Sequence, residues 1–245
     1  MNDVATVVET ESRGLSQIER VVDTFIAPSK TFNDIRRDAS WWLPFLLILG
    51  FSLVGSYMLQ TNIGFTRMAE QSMKGNARFD GATPEQQAAQ LQMVEKTMPV
   101  FSYVLYPLVF PLVGGFIVAG LFLGIFNFLL SGHARFWQLF AVYFYASLTG
   151  LLKAIVFILT VKFGDPDNFN LKNPVGTNIG FFLPSDAPHW LLTFFTQIDI
   201  FTIWFLVLLA IGCAIVAGVK RSSAMITAFG VWVVFVLIVT AVAAL

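Results

Sequence analysis

Charged residues are scarce in this sequence, and their scarcity limits the class of protein. Only 12% of the 245 residues are Asp, Glu, Lys or Arg, whereas soluble domains carry about 25%. The 15 basic and 15 acidic residues leave a formal net charge of zero. This balance provides no electrostatic footprint for nucleic acid. We therefore expect neither a water-soluble globular domain nor a nucleic-acid-binding protein.

Cysteine and catalytic motifs are also missing or nearly so. Cys213 is the single cysteine and cannot form a disulfide within the chain. No HExxH, GxSxG, Walker or GxGxxG pattern stands in a credible context. His133 and His189 fall on opposite predicted sides of a membrane, so they cannot form one metal site. The segment 165–170 lacks the Gly and Glu that an EF-hand calcium loop requires. The sequence thus predicts no enzyme, no metal and no cofactor.

Long apolar runs fill most of the chain, which is 56% hydrophobic and contains 26 Phe. A helix needs about 20 mostly apolar residues to cross a bilayer. Five segments meet this requirement, at about residues 41–60, 101–130, 136–161, 192–218 and 224–245. The sequence therefore predicts an all-α membrane protein, a bundle of five transmembrane helices, with a membrane domain over residues 41–245.

Residues 1–40 precede the first span and carry amphipathic helix patterns. Ser16 and Glu19 form a capping-box pattern. Apolar residues then recur at helical spacing, at Leu15, Ile18, Val22 and Phe25. Pro28 can open a second short helix, because the first helical position needs no N–H. We predict N-terminal surface helices, and two placements remain open: on the membrane surface, or in the cytoplasm, where they pack against the bundle or against each other.

The distribution of basic residues predicts the orientation. Arg135, Lys220 and Arg221 lie in short turns, and a bundle of five spans would place them on the same side as the basic residues before the first span. Basic residues in short loops favour the cytoplasmic side. We therefore expect the N-terminus in the cytoplasm and the C-terminus outside.

The second span contains prolines and glycines with expected structural roles. It would be about 45 Å long as an α-helix, against a hydrocarbon core of about 30 Å. Pro99 should end the surface helix that precedes it, and Pro107 and Pro111 predict a kink or a frayed first turn. Gly120 and Gly124 form a GxxxG pattern, which favours close packing of another helix over a defined dimer.

Two charged residues within predicted spans are candidates for a functional site. Lys153 would lie about 13 Å below the outer surface, and Asp199 about 10 Å below it. These depths suggest an ion pair, although side chains that reach outward to the surface and a role in transport remain alternatives. Asn127 and Gln138 are candidates for polar packing between helices.

Two segments resemble bacterial Yip1-family membrane proteins. Residues 27–35 (APSKTFNDI) ahead of 41–44 (WWLP) resemble the start of such proteins, and residues 136–147 (FWQLFAVYFYAS) resemble the opening of their third span. Leu148 departs from the pattern, because a Pro often follows this aromatic core. The resemblance implies an integral protein of a bacterial cytoplasmic membrane.

The predicted function is non-enzymatic: membrane organisation or the binding of a partner. The expected partners are the lipid bilayer and, beyond it, other membrane proteins or further copies of this chain. The alternative is a small permease or channel component, which a charge within a span and helices rich in Gly and Pro would suit.

Overall fold

Helices make up the fold, because long apolar stretches must satisfy their backbone hydrogen bonds internally when water is absent. The computed structural model describes residues 14–73, 77–165, 169–184 and 186–245, so the first 13 residues of the segment 1–40 lie outside it. The α-helices are α1 (Gln17–Ile26), α2 (Pro28–Arg37), α3 (Trp42–Asn62), α4 (Phe65–Met73), α5 (Ala77–Asp80), α6 (Pro84–Val100), α7 (Phe110–Gly124), α8 (Phe136–Ala146), α9 (Thr149–Phe163), α10 (His189–Gln197), α11 (Ile200–Ala217) and α12 (Arg221–Ala243).

Among the residues that the structure describes, five helical stretches are long and apolar enough to cross a membrane, which confirms the predicted fold class. They are Trp42–Asn62, Pro84–Leu129, Phe136–Phe163, Ile200–Ala217 and Arg221–Ala243. The turns that precede α8 and α12 meet at one end of the bundle, where the His133 N–H donates to the Ala217 carbonyl over 3.0 Å. We call this the basic end, since Arg135, Lys220 and Arg221 lie there.

The second span runs without a break through its prolines. Pro99 lies inside α6, so the expectation that it ends this helix is wrong. The segment Phe101–Val109, which contains Pro107, is π-helical, and the Phe110 N–H accordingly donates to the carbonyl of Leu105, five residues back. In a π-helical turn an N–H group can donate to the carbonyl five residues back, so the helix continues although Pro107 has no N–H of its own.

The third span contains a break that the sequence pattern did not reveal. It divides into α8 and α9 at Ser147 and Leu148. The Ser147 hydroxyl donates to the Tyr143 carbonyl, and the Leu148 N–H donates to the carbonyl of Tyr145, three residues back. Competition of this kind between a side chain and the backbone ladder bends helices.

The fourth span begins later than predicted, at Ile200 instead of residue 192. The preceding residues form the separate helix α10, and Asp199 caps α11 by accepting hydrogen bonds from the N–H groups of Phe201 and Thr202. The prediction that Asp199 lies several residues inside the span is therefore wrong. A carboxylate is favoured at this position because it satisfies orphan N–H groups.

Two glycines of the second span, ahead of the GxxxG pattern, pack against α8. A Cβ at Gly115 would lie 2.9 Å from a ring carbon of Phe140, and one at Gly114 would lie 2.8 Å from the Tyr143 hydroxyl. A Cβ at Gly120 or Gly124 would meet nothing within 4 Å. The GxxxG pattern of Gly120 and Gly124 therefore faces away from the described helices of this chain, and its packing against another helix stays a prediction.

The core forms where α2 lies against α8 and α11. Phe32 and Ile35 of α2 are completely buried, as are Phe140 and Phe144 of α8. Gly212 allows this close approach, since a Cβ there would lie 2.9 Å from Phe32 Cδ1. Of the two placements left open for the N-terminal helices, α2 therefore takes the packed one.

Candidate functional site

The N-terminal helices form a hairpin that begins with a complete capping box. The Glu19 N–H donates to Ser16 Oγ over 3.2 Å, and the Ser16 N–H donates to the Glu19 carboxylate over 2.7 Å. Pro28 opens α2 after a single linking residue. Because the linker is so short, α1 and α2 pack on each other and present a common polar interface.

Arg20 joins the two helices from a position that is almost fully buried. Its side chain is 2% exposed and donates from Nε to Asp34 Oδ2 over 2.6 Å. Its Nη atoms donate to the carboxylate and the carbonyl oxygen of Asp38, over 3.0 and 3.1 Å. Burial lowers the pKa of Arg20, but the hydrogen bond and charge of Asp34 more than offset it, so the pKa is raised overall. The guanidinium thus stays charged and fixes α1 on α2.

A second ion pair extends this polar interface. Lys30 Nζ of α2 lies 2.8 Å from Asp23 Oδ2 of α1. The hydrogen bond that Lys30 donates to Asp23 raises the pKa of Lys30. Lys30 is exposed, so solvent screens this pair and its contribution to stability is small.

An apolar stripe on α1 faces away from the protein. Ile18, Val22 and Ile26 are 72%, 50% and 74% exposed, whereas the polar residues Arg20 and Thr24 are buried. This arrangement inverts the usual one for a helix on a water-soluble protein, where the polar side faces outward. The stripe is therefore a candidate contact with lipid or with another protein.

Four side-chain contacts fix the hairpin to three spans. Gln138 Nε2 of α8 donates to the Arg36 carbonyl over 2.9 Å, and the Tyr145 hydroxyl donates to Gln17 Oε1 over 2.9 Å. The Phe25 ring packs edge-on against Trp204 of α11, with 5.7 Å between the ring centroids. At the basic end, Arg221 Nη2 of α12 lies 3.0 Å from Ser29 Oγ.

Asn127 forms its hydrogen bonds with a turn instead of another span. Its side-chain amide donates to the Ala134 carbonyl and accepts from the Ala134 N–H, both over 2.9 Å. The amide therefore closes the turn that leads into α8. Ser131 in this turn has a positive φ of 53°.

Lys153 and Asp199 meet between α9 and α11. Lys153 Nζ lies 2.9 Å from Asp199 Oδ2, and the Lys153 side chain is 40% exposed whereas that of Asp199 is 1% exposed. Asp199 Oδ2 also accepts from the Thr177 hydroxyl, and Asp199 Oδ1 from the two backbone amides that it caps. The carboxylate is thus held by four donors from three parts of the chain.

A groove of about 200 Å³ opens beside Lys153. Its lining combines the lysine with hydroxyl groups and aromatic rings, at Ser147, Thr149, Thr202, Phe201 and Phe205. Since a cavity needs about 10–15 Å³ of such volume to hold one water molecule, the groove has room for a small polar group. The break between α8 and α9 forms one edge of it.

The described residues contain no cluster of three or more His, Cys, Asp and Glu side chains that could hold a metal ion. Part of the acidic segment 165–170, namely residues 166–168, lies outside that description.

The spans and the hairpin that packs on them define a class, that of helical integral membrane proteins with several spans. The chain belongs to the Yip1 domain family, whose model matches residues 22–243. The match begins inside α1 and ends at the last residue of α12, so it includes the second half of α1 and all of α2 as well as the spans. No curated protein and no solved structure matches the chain.

Proposed function

We propose that this protein is a non-enzymatic organiser of the membrane, which holds α1 in the lipid interface at the basic end of the bundle. The apolar stripe of Ile18, Val22 and Ile26 supports this proposal most strongly. A helix that lies in the interface buries one apolar side among the lipids. Here the other side is locked to α2 by Arg20, so the bundle fixes the direction in which the stripe faces.

The same proposal includes a topology. The basic end would face the cytoplasm of a bacterium, with residues 1–40 as the cytoplasmic segment and 41–245 as the membrane domain. The contact of Arg221 with Ser29 supports this arrangement, because it brings the basic turn and the N-terminal hairpin together. The rule that basic loops stay inside then applies to both.

Reporter fusions test this topology. A reporter active only outside the cytoplasm should be silent when fused at Gly14 or Ser222 and active when fused at Leu245, because an odd number of spans separates the ends. Activity on the same side at Gly14 and Leu245 would contradict a bundle of five spans.

Fluorescent labels test the position of α1. The test uses vesicles of phosphatidylglycerol and phosphatidylcholine and a nitrobenzoxadiazole label on Val22→Cys. The fluorescence emission of this label should shift to the blue, and brominated acyl chains should quench it. The same label on Asn33→Cys, which is exposed on α2, is the matched control and should be unquenched. Cys213 is buried and does not compete for the label.

Two results would contradict the proposal. An unquenched label at Val22 would mean that something other than lipid covers the stripe, such as a membrane-protein partner or a second copy. Solute flux through reconstituted vesicles that exceeds that of protein-free vesicles would favour the alternative of a permease or channel component. A change in vesicle size with the wild type, lost in Val22→Ser/Ile26→Ser, would support membrane organisation.

A further inference from the structure

The Lys153 groove lies apart from the N-terminal hairpin, toward the opposite end of the bundle. Asp199 caps the start of α11, and the 18 residues of this helix separate it from the basic end by about 27 Å. The proposed position of α1 therefore has no bearing on the groove, and the two can be tested independently.

The hydrogen bonds of the ion pair are unequally satisfied. A lysine ammonium has three N–H donors, and among the described residues Lys153 finds one acceptor, Asp199 Oδ2. Asp199 in contrast accepts from Lys153, the Thr177 hydroxyl and two backbone amides. Its negative charge is shared among these donors, so Lys153 retains two N–H groups for another acceptor.

The groove supplies further polar groups around the ammonium. The hydroxyls of Ser147 and Thr149 already donate their hydrogens to backbone carbonyls, so they cannot also donate to a ligand. Their oxygen atoms still line the groove. Thr202 also lines it, and its hydroxyl can donate to a ligand. Hydrocarbon offers no acceptor to an ammonium, and an unpaired donor in such surroundings is costly.

The other lining residues indicate an amphiphilic ligand. The rings of Phe201 and Phe205 flank the same groove and suit an acyl chain, whereas the ammonium and the hydroxyl suit an anion with several oxygens. We propose that the groove binds a phosphate group, either in the headgroup of an anionic phospholipid or as free phosphate. Lys153 would contact the phosphate directly, and Asp199 would position Lys153.

The binding of dioctanoyl phosphatidylglycerol to the full-length protein in detergent tests the proposal. Lys153→Met combined with Asp199→Asn removes both charges and keeps an efficient cap on α11. We expect this double variant to raise the Kd about ten- to a hundredfold, and Lys153→Arg to restore most of the affinity. Lys162→Met is the matched control, an exposed lysine of the same helix, and should change the Kd by less than about twofold.

A second variant and two further ligands complete the experiment. Thr202→Val leaves both charges in place and should weaken binding about fivefold. This variant tests the proposal even where the double variant has lost its melting transition and is unfolded. Dioctanoylglycerol, which lacks the phosphate, should bind more weakly than the phospholipid. Displacement of the lipid by millimolar inorganic phosphate would identify free phosphate as the ligand, and its failure would identify the lipid. An unchanged Kd in the double variant and in Thr202→Val would overturn the proposal.

Discussion

Replacing Arg20 with Met is expected to release α1 from α2. The variant leaves the carboxylates of Asp34 and Asp38 without the buried cation that bridges them. Loss of one partner of a buried ion pair costs about 3–5 kcal/mol when the other charge stays buried and unpaired. Here the cost is smaller, because Asp34 also pairs with Arg37 over 2.8 Å and Asp38 is 56% exposed. If that cost acts on the opening of the hairpin, the backbone amides of α1 should exchange with solvent more than about tenfold faster. Hydrogen–deuterium exchange of the protein in detergent measures this change.

Arg36→Met is the matched control for this prediction. Arg36 is an exposed arginine of α2, and its contact with Gln138 uses the backbone carbonyl, which the substitution keeps. We expect exchange in α1 to stay within about twofold of the wild type. Equal exchange in the two variants would mean that Arg20 does not join the helices.

Replacing Phe32 with Ala is expected to destabilise the whole bundle. Phe32 is completely buried where α2 meets α8 and α11, and its ring lies against the backbone at Gly212. Removing a buried Phe side chain costs about 3–5 kcal/mol, because it forfeits the contacts and leaves a cavity. Reversible unfolding in mixed micelles should show this loss in the free energy of unfolding.

Phe128→Ala provides the comparison, since this side chain is 86% exposed. An outward-facing substitution of this kind should change the free energy of unfolding by no more than about 0.5 kcal/mol. A stability of Phe32→Ala equal to that of Phe128→Ala would show that α2 is not part of the core.

The apolar runs were sufficient to predict the five spans, but their ends were less predictable. Helix α10 and the first turns of α11 form one apolar run, and only the cap at Asp199 separates them. Capping depends on backbone angles that an apolar pattern does not specify. The break at Ser147 and Leu148 was missed for a similar reason, since no Pro marks it and Gly150 lies beyond it, inside α9.

The polar contacts were less accessible from the sequence than the spans. The similar depths of Lys153 and Asp199 pointed to a pair, although the position assumed for Asp199 in its helix was wrong. Arg20 was missed altogether, because a charged residue on an amphipathic helix is expected to face water. One signal for a cation at this position was present in the sequence. Asp34 and Asp38 are four residues apart, a spacing that brings two side chains together on one side of a helix.

The sequence by itself determined that this chain is a helical membrane protein of five spans with a helical N-terminal segment. The length of an apolar run and the backbone's need for hydrogen bonds in lipid are properties of each segment alone. Only the tertiary structure decided which side of α1 faces outward, where the glycines pack and how the Lys153 groove forms. Each of these depends on contacts between residues far apart in the chain, and nearly uniform apolar helices carry no pattern that specifies their neighbours.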